Sequence, residues 1–280
     1  MIAALIIVFR EVFEAGLIVG IVLAVTHGVA RRGVWISAGV AAGVLGSCVM
    51  AAFAGLISQA FAGAGQELVN ATVLSIAVVM LTWHNVWMAS HGRELAADVK
   101  RVGEAVRTGS QSIFALGVVC AVAVMREGSE VALFMYGLLA AGGSTATELV
   151  VGSLLGLAAG MAVAALTYLG LVAIPQRRLF AVTTALISLL AAGLAAQAVL
   201  FLQQAGVLTM LSQTAWDTSA ILSDTSLFGR VLHTLIGYSD QPSVLQVVAY
   251  CVTLAIIVVL TKTVGSRRAP AAKARQATAE

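Results

Sequence analysis

At 280 residues, 60% of them hydrophobic and only 10% charged, with a mean hydropathy of +0.99, the chain cannot be a soluble globular domain of ordinary make-up. Three prolines, 27 glycines and no alternation of apolar with polar residues exclude an outer-membrane barrel and leave helices, the other fold that satisfies its backbone inside lipid. The net charge of +3 reflects topology rather than a nucleic-acid partner.

Apolar runs long enough to cross a hydrocarbon core of roughly 30 Å are predicted near residues 2–28, 35–61, 68–91, 113–141, 148–174, 178–205 and 244–262. The first begins MIAALIIVFREVFEAG and lacks a basic n-region and a cleavage site, so it is expected to be the first span and not a removable signal. It carries Arg10, Glu11 and Glu14 in otherwise apolar sequence. The second holds Gly39 and Gly43 at the spacing used for close helix contact, as do Gly16 and Gly20 in the first and Gly152, Gly156 and Gly160 in the fifth.

The third run ends WHNVWMASHGREL, where Trp83 and Trp87 suit an interfacial anchor and His84 is a less favoured candidate for a release path. Residues 92–112 are read as a connection. The fourth run spells MREGSEVALF, repeating the first motif with Arg126, Glu127 and Glu130. Gln197, Gln203 and Gln204 lie toward the outer end of the sixth, where hydrogen bonding between helices is expected before cavity lining. Cys48, Cys120 and Cys251 sit in apolar segments without metal-ligand spacing, which makes them packing residues.

The outer stretch 206–243 holds an apolar face of Leu227, Val231, Leu232, Leu235 and Ile236, with N-cap candidates Ser223, Asp224 and Thr225 ahead of it. A short helix lying at the membrane surface is predicted there. Asp217, Asp224 and Asp240 could gather cations at a mouth or serve as caps and turn residues, the latter being favoured. Residues 266–280, rich in Ala, Arg and Lys, read as a disordered cytoplasmic tail.

Loop charge sets the orientation. Apart from Arg230 and the intramembrane Arg10 and Arg126, every one of the 16 Lys and Arg residues follows span 1, 3, 5 or 7. The N-terminus is therefore expected outside and the C-terminus in the cytoplasm. Spans 1 and 4 then run antiparallel, so residues 1–92 and 113–205 are candidate halves of an inverted 3+3 repeat, with 244–262 as an added span and 1–265 as one permease domain. Such repeats place a shared site near the midplane. Each R-E-x-x-E lies about 15 to 20 Å of helix rise from the outer end of its span.

Within each motif the three ionisable residues project from roughly one helix face, at i, i+3 and i+4 spacings. Each costs about 2.5 to 3.5 kcal/mol to insert, so a use is expected. Purely structural pairs, Arg10 with Glu14 and Arg126 with Glu130, would leave Glu11 and Glu127 unaccounted for. A cage of Glu11, Glu14, Glu127 and Glu130 would instead offer oxygen ligands to a hard multivalent cation, with the arginines orienting the carboxylates.

With both motifs, Arg10-Glu11-Val12-Phe13-Glu14 and Arg126-Glu127-Gly128-Ser129-Glu130, three helices apart, the sequence resembles the FTR1-type iron permease family. The likeness extends to the seven-span layout and to WDTSAILSDTSLFGRVLHTLIGY. It implies high-affinity iron import across the cytoplasmic membrane as Fe³⁺ or Fe²⁺, with the four glutamates handling the metal and no bound organic cofactor. It also implies a periplasmic iron-binding protein with a haem peroxidase, or a multicopper ferroxidase, as partner. Val12 departs from the glycine usual at that place, which puts close helix approach there in question. Carboxylates alone do not choose the ion, so lead or manganese is an alternative cargo. An intramembrane hydrolase is a remote alternative, since H-E-x-x-H and paired Ser-His or Cys-His are missing.

Overall fold

The computed structural model describes residues 1–60, 65–142, 145–170, 176–224 and 226–267. They form eight helices: α1 (Ile2–Val25), α2 (Arg32–Ala60), α3 (Gln66–Arg107), α4 (Phe114–Ala140), α5 (Ala146–Tyr168), α6 (Gln176–Gln204), α7 (Leu227–Ile236) and α8 (Val244–Arg267). The protein is all-α and crosses the membrane several times. Five stretches, within α2, α3, α5, α6 and α8, are long and apolar enough to span. Helices α1 and α4 have 24 and 27 residues, also spanning length, but their middles carry the charged motifs.

Two expectations need correction. Residues 94–107 continue α3 as helix, giving 42 residues and about 63 Å of rise, twice a hydrocarbon core. The extension folds because Val99 and Val106 bury with Ile18, Val22, Ile36, Leu116 and Cys120, while Asp98, Lys100, Arg101 and Glu104 make i,i+3 and i,i+4 pairs on its exposed side. At α7 the N-cap is Ser226, whose Oγ accepts from Gly229 N at 2.9 Å, and not Ser223 or Asp224. Thr225 and the tail beyond Arg267 lie outside the described residues.

The chain divides into two compact units. The first, Met1–Val69 with Glu94–Thr183, is built from two parallel helix pairs in glycine-mediated contact. Along α5, a Cβ at Gly152 would collide with the Met1 carbonyl, one at Gly156 would lie 2.5 Å from Leu5 O and 2.9 Å from Phe9 N, and one at Gly160 would lie 2.9 Å from Phe9 O and 3.0 Å from Val12 Cβ. Along α2, a Cβ at Gly39 would collide with the Gly117 carbonyl, and one at Gly43 would lie 2.7 Å from Ala121 O and 3.0 Å from Met125 N. Only hydrogen at these positions lets the backbones approach so closely. In each pair residue numbers rise together, so α1 runs parallel to α5 and α2 to α4. Helices α1 and α4 pack against each other in the opposite sense, Val22 sharing a cluster with Leu116 and Cys120. The Arg32 guanidinium donates to Leu23 O at 2.7 Å, placing a cation at the C-terminus of α1.

The second unit, Asn70–Arg93 with Thr184–Glu280, joins the first half of α3 to α6 through Asn85 Nδ2 donating to Ser188 Oγ at 3.4 Å. Helix α8 starts at a capping box. Ser243 Oγ accepts from Gln246 N at 3.2 Å, and Gln246 Oε1 accepts from Ser243 N at 2.7 Å. Ser243 Oγ also donates to Gln203 Oε1 at the end of α6, 2.9 Å away. Gly237 closes α7 with φ +68, and its backbone sits directly against Gly193 of α6.

Candidate metal site

Helices α1 and α4 bring their motifs together in the middle of the first unit. Carboxylate oxygens of Glu11, Glu127 and Glu130 all lie within 4.8 Å of one another. Oxygens bound to one hard cation at about 2.0 to 2.5 Å are separated by at most about twice that distance, so this is the spacing of groups that can share an ion. Glu11 and Glu127 are buried, at 0% and 2% exposure.

Both arginines serve their own motifs, unequally. Arg10 Nε lies 2.8 Å from Glu14 Oε1, with Arg10 Nη1 3.7 Å from Glu11 Oε1, and all three side chains are at most 2% exposed. Arg126 Nε is 3.4 Å from Glu130 Oε1 and 3.8 Å from Glu127 Oε1, with the arginine 29% and Glu130 15% exposed. The short, dry pair holds Glu14 on Arg10. The longer, partly open pair leaves Glu130 close to Glu11 and Glu127.

Of the four glutamates expected to form a cage, Glu11, Glu127 and Glu130 converge, and Glu14 pairs with Arg10. The approach in question at Val12 is intact, because glycine, Gly160, stands opposite it on α5.

The remaining candidates lie in the second unit. His84 and Asn85 are buried, at 3% and 1% exposure, whereas Trp83 is 70% exposed. The WHN triplet is thus split, with the indole outward as an anchor and the imidazole and amide inward. Trp87 stacks on His91 with ring centroids 5.0 Å apart. Gln197 is half-buried in α6.

Asp217 accepts from Ser219 N at 3.0 Å, Ser219 Oγ at 2.6 Å and Gln241 Nε2 at 3.0 Å. The hydroxyl of Ser219, its amide and the Gln241 amide hold this carboxyl below the usual aspartate range. Asp224 and Asp240 exchange bonds, each backbone N–H donating to the other's carboxylate at 3.1 Å. Partial burial, with Asp240 close by, pushes Asp224 up. Both aspartates fasten the loop 205–243 to itself.

One residue beside the site went unnoticed in the sequence. Ser47 of α2 sits against Gly128, where a Cβ would lie 2.7 Å from Ser47 Cβ, and its Oγ reaches Gly43 O at 2.9 Å and Met125 O at 3.2 Å. Four-residue spacing would have found it, because Gly39, Gly43 and Ser47 repeat the interval of Gly152, Gly156 and Gly160.

No solved structure matches this chain. Among characterised proteins it is 32% identical over 253 residues to the ferrous iron permease EfeU of Escherichia coli O6:H1, covering 89% of this chain and 90% of the relative. It is equally similar, at 32% over 253 residues and the same coverage, to the ferrous iron permease EfeU of Shigella sonnei. The Shigella flexneri protein of that name is 34% identical over 190 residues, covering 68% of this chain and 80% of the relative. The family described as iron permease FTR1 matches residues 1–266. With both R-E-x-x-E helices facing each other inside that span, the chain belongs to the FTR1 iron permease family and is a multi-pass transporter of the inner membrane rather than an enzyme.

Proposed function

We propose that this protein imports iron through a site made by Glu11, Glu127 and Glu130, with Glu14 as a fourth oxygen ligand released when its pair with Arg10 opens. The convergence of three buried carboxylates from two membrane helices carries this reading. Such a group is too costly in lipid to persist without a cation or protons, and hard oxygen donors suit iron in either oxidation state. The relatives are named for ferrous iron. The arginines limit the charge of the empty site and orient the carboxylates.

We further propose seven spans, α1 to α6 plus α8, with the N-terminus outside and the C-terminus cytoplasmic. Helices 1–3 and 4–6 form the two halves of an inverted repeat. In support, Gly43 and Gly156 face equivalent atoms of the two motif helices: the carbonyl of residue 121 or 5 and the amide of residue 125 or 9. Adding 116 to the α1 numbers gives the α4 numbers. His84, with an imidazole that suits a transition metal, is assigned to the exit path, and Asp217, Asp224 and Gln197 to the outer approach. Delivery falls to a periplasmic iron-binding protein working with a peroxidase or ferroxidase.

The test is radioactive iron uptake in cells lacking other iron importers, with Glu11→Gln, Glu127→Gln and Glu130→Gln compared at equal membrane level. Uptake is expected to fall to background in each, and normal uptake by all three would overturn the carboxylate site. Excess lead, manganese and zinc added as competitors test the cargo. Iron is the wrong assignment if lead blocks iron uptake while iron fails to block lead.

A further inference from the structure

The correspondence between the glycine contacts extends one step further and reverses there. Gly39 of α2 meets the carbonyl of residue 117, and Gly152 of α5 that of residue 1. Gly43 and Gly156 meet residues 121 and 125, or 5 and 9. Four residues on, Ser47 meets Gly128, and at the matching place Gly160 meets Val12. One half pairs a larger residue on α2 with glycine in the motif. The other pairs glycine on α5 with a larger residue in the motif. Gly128 adjoins Glu127 and Val12 adjoins Glu11, so each contact fixes a motif backbone one residue from a site carboxylate.

We propose that Ser47–Gly128 and Gly160–Val12 are matching steric locks that position the carboxylate pair Glu11 and Glu127, each holding one side chain and no more, and that the Ser47–Gly128 lock can be reversed into the form of its counterpart. Ser47 and Gly160 are positioning residues in this scheme, acting through the motif backbone and not on the ion. With a second side chain, Gly160→Ser would push against Phe9 O and Val12, both within 3.0 Å of the new Cβ. Gly128→Val would collide with Ser47. With neither, Val12→Gly would leave Gly160 facing glycine and a gap beside Glu11. The locks differ in two respects. A Cβ at Gly160 would meet Phe9 O, a backbone atom, whatever stands at residue 12, whereas one at Gly128 would meet only the side chain of Ser47, so only the Ser47–Gly128 lock can be reversed. The Ser47 hydroxyl is within hydrogen-bond reach of three carbonyls, Gly43 O, Met125 O and, at 3.4 Å, Val124 O, whereas the Val12 lock is purely apolar.

The experiment reverses the Ser47–Gly128 lock. Gly160→Ser and Gly128→Val are made alone, and Ser47→Gly/Gly128→Val is made as the pair that transplants the valine-and-glycine lock; Val12→Gly/Gly160→Ser is the control that keeps the clash with Phe9 O. Two readouts are taken in the full-length protein: the melting temperature in detergent, and the KM for iron uptake per inserted molecule. Each single change is expected to lower the melting temperature and raise KM by about tenfold or more, the usual cost of disturbing support behind a metal ligand. Ser47→Gly/Gly128→Val is expected to recover both, and the control pair to recover neither. The inference rests on iron transport for the KM readout alone. If the wild type takes up no iron, the functional reading fails while the melting temperatures still decide whether the lock can be reversed. Ser47→Gly/Gly128→Val no more stable than Gly128→Val overturns the steric exchange. Singles that melt early yet keep the wild-type KM overturn the positioning role. Where Gly128→Val prevents insertion, its pair decides: insertion with the wild-type KM supports the proposal, and failure to insert overturns it.

Discussion

Arg10 and Arg126 occupy the same place in their motifs but are set in different surroundings, and their removal should differ in kind. Replacing Arg10 with Met leaves Glu14, 3% exposed, without the guanidinium 2.8 Å away. Breaking a buried ion pair from one side costs about 3 to 5 kcal/mol, and several degrees of melting temperature accompany each such loss, on the order of 10 °C in all. Arg126 is 29% exposed and its pair with Glu130 is longer, at 3.4 Å, so its loss leaves a less buried and less tightly held carboxylate and should cost less. Thermal melts of the detergent-purified variants, followed by the amount of protein still monodisperse, measure both. The second half of a double-mutant cycle, Arg10→Met with Glu14→Gln, should recover most of the Arg10→Met deficit, because the orphaned charge goes with it. Equal melting temperatures for Arg10→Met and Arg126→Met would refute the reasoning, as would a double variant no better than the single.

Asp217 offers a pH-dependent test outside the membrane. Its carboxyl is held low by Ser219 and Gln241, so its contribution to loop stability is present above the ordinary aspartate pKa of about 3.9 and is lost as pH falls through the depressed value. Fluorescence of Trp216, whose indole N–H donates to Ser239 O at 3.3 Å in the same loop, should change across that acid window, and Asp217→Asn should abolish the change. At the helix pairs, Gly156→Val should prevent accumulation in the membrane, since a Cβ there would lie 2.5 Å from Leu5 O, while Gly33→Ala, with nothing within 4 Å, should accumulate normally in the same immunoblot.

Much of the architecture was legible because lipid imposes it. Among the described residues, each predicted apolar run lies mostly in helix, as membrane interiors allow little else. The 94–107 end of α3 was missed because Val99, Gly103 and Val106 form a narrow apolar stripe among charges, which a search for continuous apolar sequence passes over. A helical-period reading finds it. Facing motifs were legible from two matching spellings with two predicted spans between them, which sets the motif helices antiparallel. What no spelling reveals is that Arg10 and Arg126, at identical motif positions, are buried to different extents, at 1% and 29% exposure. Burial of that kind comes from neighbouring helices. The split of His84 from Trp83 is likewise a matter of which way the helix faces, and adjacent residues always point about 100° apart.

The parallel pairing of α1 with α5 has a consequence for synthesis. Gly16 meets Ala164, so α1 cannot complete its packing until a segment nearly 150 residues downstream has left the ribosome, about 8 to 30 s later at ordinary elongation rates of roughly 5 to 20 residues per second. During that interval α1 lacks its α5 partner. The Arg10–Glu14 pair, four residues apart on one helix, needs no partner chain and forms as soon as the helix does. A contact that later flanks the candidate metal site thus serves first as the nascent helix's own charge shield.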